Sequence, residues 1–257
     1  MTRSIAAVLL ICFTGLVSLG CIRADEPTVD ELLRQGSAHL SKRENEKAVA
    51  YYTAAIKDDP KQVEAYDRRG DAYLKLGRFK EAVADFDTFL EAKPKFAPEH
   101  WRRGIALYYL GRFEDGVKQF ETHKTVNPQD VENAAWHYLC NVHVVGKDKA
   151  KAALIDVTRD RRVPMAEIQK LFAGSMTPAD VLAAAEKTSE KSEAGIEARF
   201  YANLYVALWY EAEKNDAKRT EHLTKAVESY KIGHYMWDVG NAHLAMIKAK
   251  ASGVKKP

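Results

Sequence analysis

Three residues that could do chemistry lie close together in the middle of the chain: His137, Cys140 and His143. His137 and Cys140 are three residues apart, which would make them neighbours on the surface of a helix. A cysteine beside a histidine can act as a nucleophile, and two histidines can bind a metal ion. However, Cys140 and His143 sit in an apolar segment, and we identify no Asn or Asp that would orient the pair. The sequence therefore favours structural roles for all three.

Other signatures of catalysis or ligand binding are missing from the sequence. It has no glycine-rich phosphate loop, no paired metal motif and no serine-centred elbow. His234 and His243 favour structural roles as well. Lys and Arg number 39 against 36 Asp and Glu, so no charge excess indicates nucleic acid. We therefore predict a protein that is not an enzyme, with no catalytic residues, metal or cofactor, and with no nucleic acid partner.

The clearest pattern in the sequence is a repeat. Gly36, Gly70 and Gly104 lie 34 residues apart. A period of this length is typical of an array of helical hairpins. The same interval separates two further sets of residues: Pro60, Pro94 and Pro128, and Tyr52, Phe86 and Phe120.

The three glycines have a physical reason. A glycine inside a helix costs about 1 kcal/mol relative to alanine. Three such glycines at one spacing therefore indicate that two helices must approach closely. We predict that the glycines give clearance within each hairpin, and that the three aromatic residues fill the space toward the next hairpin.

This pattern resembles the tetratricopeptide repeat (TPR), and the resemblance covers residues 29–130 in three units. It rests on the small residue at the eighth place, the glycine before an aromatic residue at the turn, the aromatic residue at the twenty-fourth place and the proline at the thirty-second. Beyond Asp130 the register is lost, although helices are still predicted, with Lys149–Arg159 as one of them. We therefore predict an all-α fold: a right-handed α-solenoid of TPR hairpins, with degenerate hairpins and a capping helix over 131–250 and a disordered tail over 251–257.

The chain from about Thr28 to Lys248 is also similar to the NlpI-like TPR lipoproteins of the bacterial envelope. The residues that carry this resemblance are RGIALYYLGRFEDG, AAWHYL, IQKLFAGSMTPADVL, FYANLYVAL and HYMWDVGNAHLAMI. The resemblance implies an outer-membrane anchor, a homodimer, and an adaptor that brings envelope proteases and peptidoglycan hydrolases together.

The N-terminal residues predict export. Arg3 precedes an apolar run over residues 5–19, which is short for a membrane span and ends among small residues. This is the pattern of a secretory signal. Two ways of processing stay open: cleavage after Ala24, which makes 1–24 the signal peptide, or lipidation of Cys21 at the end of a lipobox-like Ser-Leu-Gly-Cys. Either one predicts an exported protein, in the periplasm or anchored to a membrane and facing the periplasm.

One face of each first helix is a candidate binding surface. At about 100° per residue, places two, five, nine and twelve share a face that would line the concave side of the solenoid. In the second and third units this face changes from acidic to aromatic, and two arginines flank it. Aromatic and Arg side chains are favoured at protein interfaces. We predict a partner-binding surface made of Asp67, Arg68, Asp71, Leu74, Trp101, Arg102, Ile105 and Tyr108.

The alternative for this face is that Trp101 and Tyr108 are simply covered by the following helices. The function predicted is a non-catalytic scaffold for other envelope proteins. Two alternatives stay open: an enzyme or accessory subunit with a site near Cys140, or a purely structural envelope protein. A lone thiol in an oxidising compartment is most simply buried, which favours the non-catalytic prediction.

Overall fold

The computed structural model describes residues 27–253, which form α-helices, one 3-10 helix and no strand. The predicted all-α solenoid is confirmed. The predicted signal peptide, the lipidation site Cys21 and the last four residues of the predicted tail lie outside the described residues. The helices are α1 Val29–Ser41, α2 Asn45–Asp58, α3 Val63–Lys75, α4 Phe79–Ala92, α5 Trp101–Leu110, α6 Phe113–Lys124, α7 Val131–Val145, α8 Lys147–Ala152, α9 Met165–Ala173, α10 Pro178–Glu186, α11 Glu193–Ala212, α12 Asp216–Ser229 and α13 Tyr235–Ala251.

The first six helices form three hairpins, in which α1 packs on α2, α3 on α4 and α5 on α6. Consecutive hairpins also pack on each other, because α2 contacts α3, α4 contacts α5 and α6 contacts α7. The first helices of successive units touch as well: α1 contacts α3, α3 contacts α5, and α5 contacts α7. We call the surface formed by α1, α3, α5 and α7 the inner face.

The repeated glycines give clearance within each hairpin, as predicted. A Cβ on Gly70 would lie 2.7 Å from two atoms of the Phe86 ring, which is fully buried. The same contact joins Gly36 to Tyr52 and Gly104 to Phe120. The prediction for the rings was therefore incomplete, since each ring fills the clearance in its own hairpin. Phe86 also reaches the next unit, where its ring centroid lies 4.6 Å from that of His100.

The turns within the second and third hairpins have the same sequence, Gly-Arg-Phe, at 77–79 and 111–113. Gly77 and Gly111 follow the first helices with φ of 70° and 80°, a left-handed conformation that favours glycine. In the first unit Arg43 takes this conformation instead, with φ of 58°. Its guanidinium Nε donates to Asp238 of α13 over 2.7 Å. Arg43, which replaces glycine at the turn of the first unit, is thus also the residue that contacts α13.

The third unit begins differently from the first two. Residues Pro94–Glu99 form a 3-10 helix, and α5 begins only at Trp101. Pro98 disfavours a helical conformation in the residue before it, which delays the helix. Side chains of α6 bond to the carbonyl groups of this segment: Gln119 Nε2 donates to Ala97 over 2.7 Å, and His123 Nδ1 lies 2.8 Å from the Pro98 oxygen.

The C-terminal half turns back on the array. The helix predicted over Lys149–Arg159 is wrong in extent, because α8 ends at Ala152. The backbone beyond it bonds to Gln129, whose Oε1 accepts from the amides of Thr158 and Arg159. Helix α11 is buried along most of its length and packs against α7, α9, α10 and α12. Helix α13 packs on α12 and also on α3. The last helix of the chain thus lies against the inner face.

Candidate functional site

The inner face, which was predicted to be open to a partner, is largely occupied by the chain's own C-terminal helices. Four of the predicted surface residues are buried: Asp71, Leu74, Ile105 and Tyr108. Asp67, Trp101 and Arg102 are partly buried, and Arg68 is exposed. The alternative reading, in which following helices cover Trp101 and Tyr108, therefore describes this region. A direct role in partner binding stays a prediction for the residues that keep exposed surface.

The first point of attachment joins α13 to α3 and α5. The Tyr235 hydroxyl donates to Asp71 Oδ1 over 2.5 Å, and Lys75 Nζ donates to Asp71 Oδ2 over 3.1 Å. The rings of Trp101 and Tyr235 meet edge to face, with centroids 4.9 Å apart. Burial and the Asp71 charge raise the pKa of Tyr235 well above its ordinary value. Tyr235 therefore remains a neutral donor to a buried carboxylate.

The second point of attachment joins α5, α11 and α13 through Glu211. The Tyr108 hydroxyl donates to Glu211 Oε1 over 2.6 Å, and His243 Nε2 lies 2.9 Å from Glu211 Oε2. Burial raises the pKa of Glu211, but its contacts with His243 and Tyr108 outweigh this and leave it below the ordinary value. His243 is buried and has the structural role predicted for it.

A third cluster lies beside these contacts and retains some exposure. Arg102 donates to both oxygens of Asp67, at 2.9 and 3.1 Å, and His100 Nε2 lies 2.9 Å from Asp67 Oδ1. Burial works against the charge on Asp67, but His100 and Arg102 lower its pKa below the ordinary value. Arg68 lies next to this cluster, with Glu64 and Lys93 in the same shallow depression. This part of the predicted surface is accessible.

A cavity of about 290 Å³ remains where the third unit meets α7, α11 and α13. We call it the aromatic cavity. Its walls carry five aromatic rings, supplied by α5, α6, α7, α11 and α13: Trp101, Phe120, Trp136, Tyr201 and Tyr235. Ile105 and Met236 add apolar surface. No Lys or Arg of the described residues lines it.

Two buried polar atoms on residues that line the aromatic cavity lack a hydrogen-bond partner in the described chain. Asn133 is 4% exposed, and its Nδ2 donates to the Phe120 carbonyl over 3.2 Å, whereas its Oδ1 has no partner. Trp136 is 1% exposed, and its Nε1 has no partner. A buried polar atom left without a hydrogen bond costs about 1–3 kcal/mol. Both atoms are buried within the cavity wall rather than exposed on its surface.

Carboxylates close one side of the aromatic cavity. Asp130 and Glu132 line it. Outside it, Arg162 lies 3.0 Å from Asp130, 2.5 Å from Glu132 and 2.6 Å from Asp160. Glu132 also accepts from the Tyr205 hydroxyl over 2.9 Å. Burial, reinforced by the nearby Asp130 charge, raises the pKa of Glu132 to about 7, although Arg162 and Tyr205 act in the opposite direction.

The residues near Cys140 do not form a reactive pair. Cys140 is fully buried, and burial raises the pKa of its thiol to about 12, so that the thiol is protonated at neutral pH. His137 hydrogen-bonds with Asn141, and His143 stacks on Phe113 with ring centroids 3.9 Å apart. No hydrogen bond joins Cys140 to either histidine in the described residues. No group of three or more His, Cys, Asp or Glu side chains there could hold a metal.

Sequence reasoning found Trp101 and Ile105 of the aromatic cavity but missed the residues that α7, α11 and α13 contribute. Only the folded chain brings Tyr201 and Tyr235 beside α5, since they lie about 100 residues or more from Trp101. One signal was present in the third unit. His123 stands at the twenty-seventh place, which is Ala55 in the first unit, and this polar residue lines the cavity.

Within residues 27–253, no helix is both long and apolar enough to span a membrane. No curated protein matches the chain. Residues 33–95 match the tetratricopeptide repeat family.

Among the solved structures that are similar to this chain are two TPR proteins. A tetratricopeptide repeat protein from Parabacteroides merdae is 18% identical, with a TM-score of 0.54, 87% of this chain covered and 86% of that one. YrrB, described as a TPR protein with an unusual peptide-binding site, is also 18% identical, with a TM-score of 0.46, 88% of this chain covered and 94% of that one. Residues 33–95 thus match tetratricopeptide repeats, and the described residues as a whole have the fold of a TPR-type α-solenoid, in which hairpins are followed by a closing helix.

Proposed function

We propose that this chain is a non-catalytic scaffold that binds a protein partner at the inner face, around the mouth of the aromatic cavity. TPR folds serve in general as protein-interaction adaptors, and this role is supported here by the repeat match and the fold. The observation that carries the proposal is the aromatic cavity itself, which is lined by five aromatic rings and by polar side chains such as Asp130 and Glu132. Such concave, mostly apolar sites with a few polar groups are typical of binding sites.

The buried thiol argues against the alternative of an enzyme with a site near Cys140. A nucleophilic cysteine needs an accessible, partly ionised thiolate, and here burial favours the neutral thiol. The alternative of a purely structural protein predicts no partner at the inner face. Crosslinking therefore separates it from the scaffold.

The test uses a photo-crosslinking amino acid at Asn127 or His234, two exposed residues that line the aromatic cavity. The control position is Glu228, an exposed residue of α12 that does not line it. We expect one partner to be crosslinked from both cavity positions and not from Glu228. An identical set of products from all three positions, or none from any, would contradict the proposal.

We further propose that the protein works outside the cytoplasm, in the cell envelope, where it organises other envelope proteins. Support comes from the basic residue and apolar run of residues 1–24 and from the resemblance to NlpI-like lipoproteins, whose role with proteases and peptidoglycan hydrolases we extend to this chain. Measuring the mass of the mature N-terminus distinguishes cleavage after Ala24 from a lipid on Cys21. An intact N-terminus in a cytoplasmic fraction would contradict export.

The same resemblance supports a homodimer. Light scattering on the mature protein tests this directly, and we expect twice the mass of one chain. A monomer across the concentration range would remove the dimer without affecting the proposal for the inner face.

A further inference from the structure

The walls of the aromatic cavity suit a positive charge. A cation within about 6 Å of a Trp or Tyr ring is attracted to the negative face of the ring. Trp101, Trp136, Tyr201 and Tyr235 supply four such rings. The fold already places cations of its own against two of them: Lys75 Nζ lies 4.8 Å from the Tyr235 centroid, and the Arg162 guanidinium lies 5.9 Å from that of Tyr201. Neither cation lines the cavity.

Two carboxylates, those of Asp130 and Glu132, line the aromatic cavity, and no Lys or Arg of the described residues lines it. Arg162 pairs with both carboxylates from outside the cavity, where Arg159 and Arg161 also lie beside Asp130. A cation inside the cavity would therefore have Asp130 and Glu132 as its acidic neighbours. Because the pKa of Glu132 is raised to about 7, a cation nearby would also stabilise its ionised form.

The size of the aromatic cavity narrows the chemistry further. The volume of about 290 Å³ lies near the lower end for ligand sites, which fits one side chain better than a large cofactor.

We propose that the aromatic cavity binds a guanidinium or alkylammonium group, presented by an Arg or Lys residue of a peptide or by a free amine. The inference deepens the proposed function, since it names the chemical group that the partner inserts. The inference can fail while the proposed function stands. That would be the outcome if a partner were crosslinked at Asn127 but bound equally well without a positively charged group.

The test is isothermal titration of the mature protein with four capped tripeptides, Gly-Xaa-Gly, in which Xaa is Arg, Lys, citrulline or Glu. Citrulline keeps nearly the shape of Arg but has a carbonyl oxygen in place of one guanidinium nitrogen and carries no charge. We expect the Arg or Lys peptide to bind about tenfold more tightly than the citrulline peptide, and the Glu peptide not to bind. Equal binding of Arg and citrulline, or no binding of any peptide at millimolar concentration, would overturn the proposal.

Free arginine distinguishes the two sources of the cation. If the capped peptide binds more tightly than free arginine, the main chain contributes and the source is a peptide. If free arginine binds as tightly, the cation site stands and its ligand is a small molecule. Neither outcome depends on a variant, so a misfolded mutant cannot confuse the comparison.

Variants then locate the binding. Trp101→Leu removes one ring while keeping an apolar side chain, and we expect it to weaken the Arg peptide about tenfold. Glu228→Gln removes an exposed carboxylate of α12 and should leave binding unchanged. Circular dichroism checks that both variants fold. Unchanged affinity in a folded Trp101→Leu protein would place the bound peptide elsewhere and overturn the assignment to this cavity.

Discussion

Replacing Gly70 by alanine tests the packing on which every hairpin depends. The new Cβ would lie 2.7 Å from Cδ1 and Cε1 of Phe86 and 3.3 Å from the carbonyl oxygen of Ala82. Ordinary contacts of this kind are about 3.5–4.0 Å, so the buried ring must move by nearly 1 Å. Such overpacking costs about 1–3 kcal/mol, whereas alanine in place of glycine gains about 1 kcal/mol of helix propensity. We expect a net loss of about 1 kcal/mol in the free energy of unfolding.

The assay is urea unfolding followed by circular dichroism, with a double-mutant cycle to isolate the contact. Phe86→Leu shortens the side chain that alanine would meet. In that background Gly70→Ala should be neutral or stabilising by up to about 1 kcal/mol, because the clash is relieved and the propensity gain remains. Gly233→Ala is the matched control, since a Cβ there meets nothing within 4 Å and its φ is not in the left-handed region.

Two results would refute this reasoning. If Gly70→Ala stabilises the protein with Phe86 intact, the glycine is not needed for clearance. If the cost of Gly70→Ala is the same with Phe86 and with Leu at that position, the two residues are not coupled and the loss has another origin.

Three further predictions concern the inner face and its surroundings. Tyr235→Phe removes a donor to the buried Asp71 carboxylate and should lower the free energy of unfolding by about 1.5–3 kcal/mol in urea titrations; no loss would mean that α13 is not held there. The pKa of Glu132 is raised from 4.5 to about 7, so its contribution to stability is full below pH 4.5 and is lost as pH rises through 7. Relative to the Glu132→Gln variant, the wild type should therefore lose about 3 kcal/mol in the free energy of unfolding across this window. Parallel pH profiles of the two proteins would contradict this prediction. Cys140 should react with a thiol reagent only after unfolding, and rapid labelling of the folded protein would show an open, reactive site.

Sequence reasoning was most successful where neighbouring residues decide the structure. The spacing of Gly36, Gly70 and Gly104 predicted hairpins whose helices touch, since a glycine tolerated at one repeated helical position indicates close approach. It was least successful where the chain loses its repeat. The helix predicted through Arg159 ends at Ala152, and the amides of Thr158 and Arg159 donate to Gln129 instead, a contact between distant residues.

The candidate site shows the same division. Periodicity identified the face that carries Asp71, Trp101 and Tyr108, but it could not show that the face is covered. Covering depends on α13, whose Tyr235 lies more than 100 residues away in sequence from Trp101 and Tyr108. Nothing in the spacing of one helix reports which distant helix packs on it.

The amino-acid sequence by itself determined the repeating hairpin, since glycines recur every 34 residues and each one contacts an aromatic ring only 16 residues further along the chain. Only the tertiary structure decided that the last helix returns to the second and third units and leaves a cavity beside it. The physical reason is that this return depends on a few buried polar and aromatic contacts between distant segments, such as Tyr235 with Asp71 and Glu211 with Tyr108 and His243. Local sequence patterns therefore do not predict such contacts.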